Sequence, residues 1–379
     1  MEYIDLKAQY RYLKREIDRN IWETIDSTDF ILGDKVEEFE QALAEYIGVR
    51  HAICCSDGTA ALQLIYMANH IGGGDAVFCP DMTFIASIEP ACLLGATPVF
   101  CEINSETYNI DPVSLERQIV SVLEEGRLTP RAVVVVDFLG NPADYKTLRQ
   151  IAKKYDLLLI EDAAQGMGAS YYESKCGSLG DIAATSFFPS KPLGCYGDGG
   201  AVFTNNDEMD RLIRSLRVHG KGKTKYDNER IGINSRLDSL QAAILLPKLR
   251  ILENEIEIRQ KVAAYYGDEL CNYVKVPYVS SGCISSYAQY VVKMNSKVQR
   301  EKVQRYLREQ DIPTIQYYPI PMHRLPVFNG INVYGENFDI SDQYAECSLG
   351  IPFSAYIQKE DREKVVKTIL DVFEGEKYN

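Results

Sequence analysis

The sequence predicts an α/β protein: a large domain with a mostly parallel seven-stranded sheet between helices, then a smaller α/β C-terminal domain. Three observations predict it. Between residues 51 and 204, short apolar runs alternate with helical patterns. Several of those runs are continuously apolar, Ala132–Val136 above all, as a sheet covered on both faces requires. The length, 379 residues, exceeds what one core usually serves.

The elements follow in order. An amphipathic segment, Lys7–Ile25, precedes a second helix at Lys35–Tyr46. Strands are expected at His51–Cys55, Ala76–Cys79, Thr97–Glu102, Ala132–Asp137, Leu157–Glu161, Ala183–Phe187 and Gly200–Thr204. Helical patterns lie between them at Ala60–Asn69, Pro112–Leu123 and Tyr145–Tyr155. The last ends in Lys153-Lys154, favourable beside the negative end of a helix dipole. Ser235–Leu270 reads as one long helix, with a kink at Pro247 left open. It joins two domains divided as 1–245 and 246–379. The smaller domain carries helices at Lys297–Glu309 and Lys359–Phe373 and a strand at Tyr287–Lys293.

Composition narrows the function. Hydrophobic residues at 46% and charged residues at 25% suit a globular protein. A net charge of −13 argues against a nucleic-acid partner, whose phosphates need a basic face. It leaves room for an anionic small molecule in a local basic pocket. The ten cysteines show no C-x-x-C spacing and read as reduced, mostly buried thiols. The four histidines lack metal-ligand spacing, so no metal is expected. Met1–Asp5 does not resemble a signal peptide, and no apolar run approaches the ~20 residues that span a bilayer. The cytoplasm is the expected compartment, with no membrane partner.

Four motifs carry chemistry. Ser56-Asp57-Gly58-Thr59 follows a strand and opens a helix, where free N–H groups and the dipole favour an anion. A plain N-cap made by Asp57 or Thr59 is the alternative. Asp81-Met82-Thr83-Phe84 follows another strand, and Phe84 can cover a ligand ring or simply join the core. Glu161-Asp162-Ala163-Ala164-Gln165 ends an apolar strand, at the sheet edge where α/β proteins bind ligands. Asp162 there suits a cationic ring nitrogen or a structural cap. Ser186-Phe187-Phe188-Pro189-Ser190-Lys191 leads into the glycine-rich Gly194–Gly200. Lys191 in such a loop can condense with a carbonyl, or it is a solvated loop lysine. Taken together, phosphate cup, stacking aromatic, ring-nitrogen acid and reactive lysine form the parts list for pyridoxal 5′-phosphate (PLP).

These motifs, with Gly232-Ile233-Asn234-Ser235-Arg236-Leu237-Asp238 and Tyr318-Pro319-Ile320-Pro321, resemble the DegT/DnrJ/EryC1 family of sugar aminotransferases, of PLP fold type I. The resemblance runs from Ile4 to about Pro352. It implies that Gly58, Thr59 and Ser186 hold the cofactor phosphate, Phe84 covers the ring, Asp162 meets the ring nitrogen, and Gln165 lies beside them. It implies that Asn234 reaches the phosphate of a neighbouring subunit, giving a homodimer with shared active sites. The Phe187–Gly200 block, the Asn234–Leu249 stretch and Tyr287-Ala288-Gln289-Tyr290 are similar to aminotransferases acting at C3 of UDP-linked 3-oxo-N-acetylglucosaminuronic acid. A nucleotide-sugar substrate, glutamate as donor with 2-oxoglutarate as its product, and surface polysaccharide biosynthesis follow as implications. Lys191 stands where dehydrating relatives have histidine, which favours transamination. The alternatives are a C4 aminotransferase on a UDP- or dTDP-4-keto-deoxysugar and a non-catalytic regulator that binds PLP or a sugar nucleotide.

Some positions depart from the family pattern. Asp57 replaces a usual asparagine, Phe138 a residue often polar, and Tyr317 a usual histidine. The loops of Phe138 and Tyr317 are expected to line the sugar pocket. Arg236 lies two residues beyond Asn234, so in extended backbone it points the same way. A guanidinium grips a carboxylate through paired hydrogen bonds. Arg236, Tyr317 and Tyr318 are expected to bind the substrate, with Arg236, helped by Tyr318, recognising the carboxylate of a uronic acid; a pair of Arg236 with Asp238 or a diphosphate is the alternative. Gly222-Lys223-Thr224 mimics the end of a P-loop, but position 217 is Arg217 and a helical stretch precedes it. Lys221–Tyr226 reads as a loop.

Overall fold

The computed structural model describes residues 1–224, 226–330 and 337–377, with side chains to Phe373. In chain order the elements are α1 (Leu6–Ser27), α2 (Asp34–Ile47), β1 (His51–Cys55), α3 (Gly58–Ala68), β2 (Asp75–Pro80), α4 (Glu89–Leu93), β3 (Thr97–Cys101), α5 (Pro112–Glu125), β4 (Thr129–Val136), α6 (Tyr145–Lys154), β5 (Leu158–Asp162), β6 (Ser170–Tyr171), β7 (Ser174–Lys175), β8 (Ile182–Ser186), β9 (Gly200–Thr204) and α7 (Asp207–Leu216). Then come α8 (Ser239–Leu270), β10 (Cys283–Ile284), β11 (Tyr290–Lys293), α9 (Lys297–Glu309), α10 (Asp339–Cys347), β12 (Ser348–Ile351) and α11 (Lys359–Lys377).

The seven expected strands form one sheet in the order β1-β9-β8-β5-β4-β2-β3. Only β9 runs against its neighbours, pairing antiparallel with both β1 and β8. The other pairings are parallel. Strand alternation divides the core between the two faces. Ala132, Val134 and Val136 join the α3 side, and Val133 and Val135 join the α5 and α6 side. The loops after β1, β2, β5 and β8 consequently leave one edge of the sheet together, and these loops carry all four motifs.

The long helix starts later than expected, at Ser239 rather than Ser235. The backbone before it is committed elsewhere. Asn234 bridges Val218, the Ser235 N–H donates to the Arg217 carbonyl at 2.9 Å, and Asp238 bridges Ile31. Pro247 lies within an unbroken α8. The strand expected from Tyr287 begins at Tyr290, because Tyr287 has φ of 43° and cannot extend a strand. Along α8 the packing partners change: Ala242–Ile256 meets the large sheet's helical layer, and Val262–Leu270 joins a separate core with β11, β12, α9 and α11. All ten cysteines are free thiols, seven of them buried. No described helix is long and apolar enough to cross a membrane.

Candidate active site

A cavity of about 510 Å³ opens at the sheet edge where the four motif loops meet. Gly58, Thr59, Phe84, Asp162, Gln165, Ser186, Lys191, Tyr317 and Tyr318 all line it.

At one end stands the first turn of α3. Asp57 caps it, its carboxylate accepting from the Ala60 N–H at 2.8 Å. The cap and the anion cup are thus compatible readings: the first N–H groups of a helix have no acceptor within it. The wall is drawn in tightly. A Cβ on Gly58 would lie 2.8 Å from the Ser186 Cβ, and one on Gly200 would lie 2.4 Å from the Asp57 carbonyl. Only glycines let β9, β8 and the α3 turn close this corner.

In the middle, β5 sends two adjacent carboxylates to opposite faces. Glu161 points away and accepts from the backbone N–H groups of Gly177, Leu179 (2.7 Å) and Gly180 (3.0 Å), anchoring that turn. Asp162 points into the cavity. Its carboxylate accepts from the Ser87 hydroxyl at 2.7 Å and the Ala164 N–H at 3.1 Å. Ser87 in turn shares a hydrogen bond of 2.9 Å with Thr83. Burial pushes the Asp162 pKa up; Ser87, Ala164 and the charge of Lys191 pull it back. Thr83 belongs to the Asp81–Phe84 motif without a role assigned to it, and Ser87 was not singled out in the sequence. Its signal was its place in the loop after β2, three residues beyond Phe84.

Lys191 sits half-buried on the loop between β8 and β9. Its N–H donates to the Phe188 carbonyl at 2.8 Å, while its amine has no hydrogen-bond partner among the described residues. Burial pushes that amine's pKa down, and Asp162 partly restores it. An unpaired amine with a lowered pKa is a nucleophile held ready.

At the far end are aromatic and amide groups. Phe84 is 55% exposed and its ring lies 5.8 Å from that of Tyr318. The Gln165 amide donates to the Tyr318 hydroxyl at 3.3 Å and accepts from the Leu139 N–H at 2.6 Å. Gln289 also lines the cavity, and its buried amide oxygen has no partner. The expectation that Phe138 lines this pocket fails: Phe138 is 1% exposed and packs against Tyr318 and Tyr344 in the core. An apolar ring that the sequence places in a loop is drawn inward by burial.

Asn234 and Arg236 stay outside the cavity. Asn234 is exposed and Arg236 half-buried, in extended backbone. Arg236 pairs neither with Asp238 nor with any other described residue. The Gly222-Lys223-Thr224 stretch forms turns beyond α7 and does not line the cavity; Lys225 lies outside the described residues.

Comparison with known proteins places this geometry. The model of the DegT/DnrJ/EryC1/StrS aminotransferase family matches residues 11–370. The chain is 43% identical over 360 residues to the UDP-2-acetamido-2-deoxy-3-oxo-D-glucuronate aminotransferase of Pseudomonas aeruginosa, covering 94% of this chain and 96% of that protein. It is 37% identical over 374 residues, 98% of each chain, to a pleiotropic regulatory protein of Geobacillus stearothermophilus. The crystal structure of a DegT DnrJ EryC1 StrS aminotransferase from Brucella abortus superposes with a TM-score of 0.96 at 42% identity, over 98% of this chain and 99% of that one. On likeness that spans nearly its whole length, the chain belongs to the DegT/DnrJ/EryC1/StrS aminotransferase family of PLP-dependent enzymes.

Proposed function

We propose that this enzyme moves an amino group from glutamate to the 3-keto carbon of UDP-2-acetamido-2-deoxy-3-oxo-glucuronate, for surface polysaccharide biosynthesis. It works as a cytoplasmic homodimer with shared active sites. The observation that carries the reading is the Lys191 amine, unpaired among the described residues and facing Asp162, in a cavity that ends at the first turn of α3.

The residues fit PLP. Gly58, Thr59 and Ser186 would hold its phosphate, Phe84 and Gln165 would bracket the ring, and Asp162 would keep a proton on the ring nitrogen. The tight glycine corner at Gly58 supports this, because it leaves backbone N–H groups approachable by phosphate oxygens. When bound, PLP supplies an electron-withdrawing ring that stabilises charge at the carbon losing its proton. Lys191 would hold the cofactor through its aldehyde, and its amine would serve as the base and acid that moves a proton between the substrate carbon and the carbon of that aldehyde.

Asn234 and Arg236 are assigned to the neighbouring subunit's site. Neither side chain has a hydrogen-bond or ion-pair partner among the described residues, and both stand outside their own cavity. Arg236, with Tyr318, would grip the sugar carboxylate, and Tyr317 would line the sugar pocket. The P. aeruginosa relative, whose name specifies a glucuronate, supports the uronic acid. The G. stearothermophilus relative keeps a regulatory reading in view. The poised Lys191–Asp162 pair favours catalysis.

The test is the reverse reaction: purified protein, 2-oxoglutarate and a panel of UDP-amino sugars. Fastest glutamate formation is expected with the 3-amino uronate. Arg236→Lys should weaken the uronate by about 1–3 kcal/mol more than the matching neutral sugar. Equal losses would point to the 4-amino deoxysugar alternative, and no turnover with any sugar would favour the regulator.

A further inference from the structure

Lys248 stands on α8, outside the cavity, and is 2% exposed. Its neighbours Leu245, Leu246 and Leu249 fill the same helical layer. A leucine or methionine would fill position 248 without the cost of burying an ammonium. No carboxylate forms a salt bridge with Lys248 among the described residues. Burial pushes its pKa down to about 8, against the upward pull of Glu255 and Cys195.

Two interactions offset that cost, and both go to the loop that carries Lys191. The amine donates to the Gly194 carbonyl at 2.6 Å. It also lies 4.2 Å from the centre of the Tyr196 ring. Gln241, on the same face two turns earlier, accepts from the Tyr196 N–H at 2.9 Å. The loop is folded back on itself at this point. A Cβ on Gly194 would lie 2.5 Å from the Pro189 carbonyl oxygen, and the Cys195 N–H donates to the Phe187 carbonyl at 2.8 Å.

We propose that Lys248 is a positioning residue: from α8 it clamps the Gly194–Tyr196 end of the loop and so fixes where the Lys191 amine stands. This rests on the reading of Lys191 as the reactive amine, but the clamp itself is measurable without turnover.

The experiment is hydrogen exchange on the apoprotein, with Lys248→Met as an apolar replacement of similar length. The Lys191 and Cys195 amides should exchange about tenfold faster, with β8 and β9 unchanged. In the holoenzyme, kcat should fall about tenfold with KM for both substrates held, as for a misplaced reacting group. Unchanged loop protection would overturn the proposal. So would equal loss in the loop and the sheet, the sign of general loosening. If Lys248→Met does not fold, Tyr196→Leu at a part-exposed ring tests the clamp from the loop side: the same amides should exchange faster, and no change overturns it. A wild-type protein inactive with every sugar would sink the functional reading and leave the exchange result standing.

Discussion

Glu161 and Asp162 are adjacent carboxylates whose surroundings give them opposite duties. Glu161 is spent on three backbone N–H groups, so its charge is absorbed in holding a turn. Asp137, buried against it, is pushed well up by burial and by the Glu161 charge. Asp162 keeps one face toward the cavity, with Ser87 and Ala164 supporting its ionised form against burial. Replacing it with a neutral isostere removes the charge and keeps the shape. Asp162→Asn should therefore still bind PLP, seen in the visible spectrum, while transaminating about 10²–10³-fold more slowly. An unchanged rate would assign the ring nitrogen to another group.

At the scale of elements, the site depends on how closely α3, β8 and β9 approach. Gly58→Ala places a methyl 2.8 Å from the Ser186 Cβ, against short strands with little freedom to move. PLP affinity should drop at least about tenfold by equilibrium titration, the scale of one lost charge-assisted hydrogen bond, while the thermal midpoint shifts little. This corner was legible in the sequence because short apolar strands were followed, after β1 and β8, by turns carrying distinctive residues. The seven strands were located to within a few residues. What was not legible depended on distant partners. The start of α8 was read too early, because the helix-compatible Ser235–Asp238 is held extended by Arg217 and Ile31. Ser87 carries no motif of its own and gains its role only when β2 and β5 lie side by side across β4.

The whole molecule leaves a surface unaccounted for. Trp22, Phe30, Ile31, Leu32 and Ile231 are exposed, and Ile31 bridges Asp238 just beyond the unpartnered Asn234 and Arg236. A second copy covering this region would bury the apolar groups and carry Asn234 to its neighbour's cavity. Complementation tests the sharing. Lys191→Ala and Asn234→Ala proteins should each be inactive, and after subunit exchange each mixed dimer should hold one intact site. Recovered activity is expected; none, with exchange verified by mass, would put both residues in one protomer's site.

The placement of β1 also bears on how the site forms. It occupies the sheet edge and pairs only with β9, so residues 55 and 200 are neighbours. The turn that opens α3 precedes β9 in the chain by more than 140 residues, and although α3 packs on β8 directly, the β1 end of the corner is tied to the rest of the sheet only through β9. Non-local pairing of this kind is slow to form and exposes apolar edges meanwhile. Closing the cofactor cup therefore needs one of the longest-range pairings of the large sheet, Cys55 with Gly200. A ligand that binds only the closed cup stabilises the fold in which β9 is inserted, by mass action.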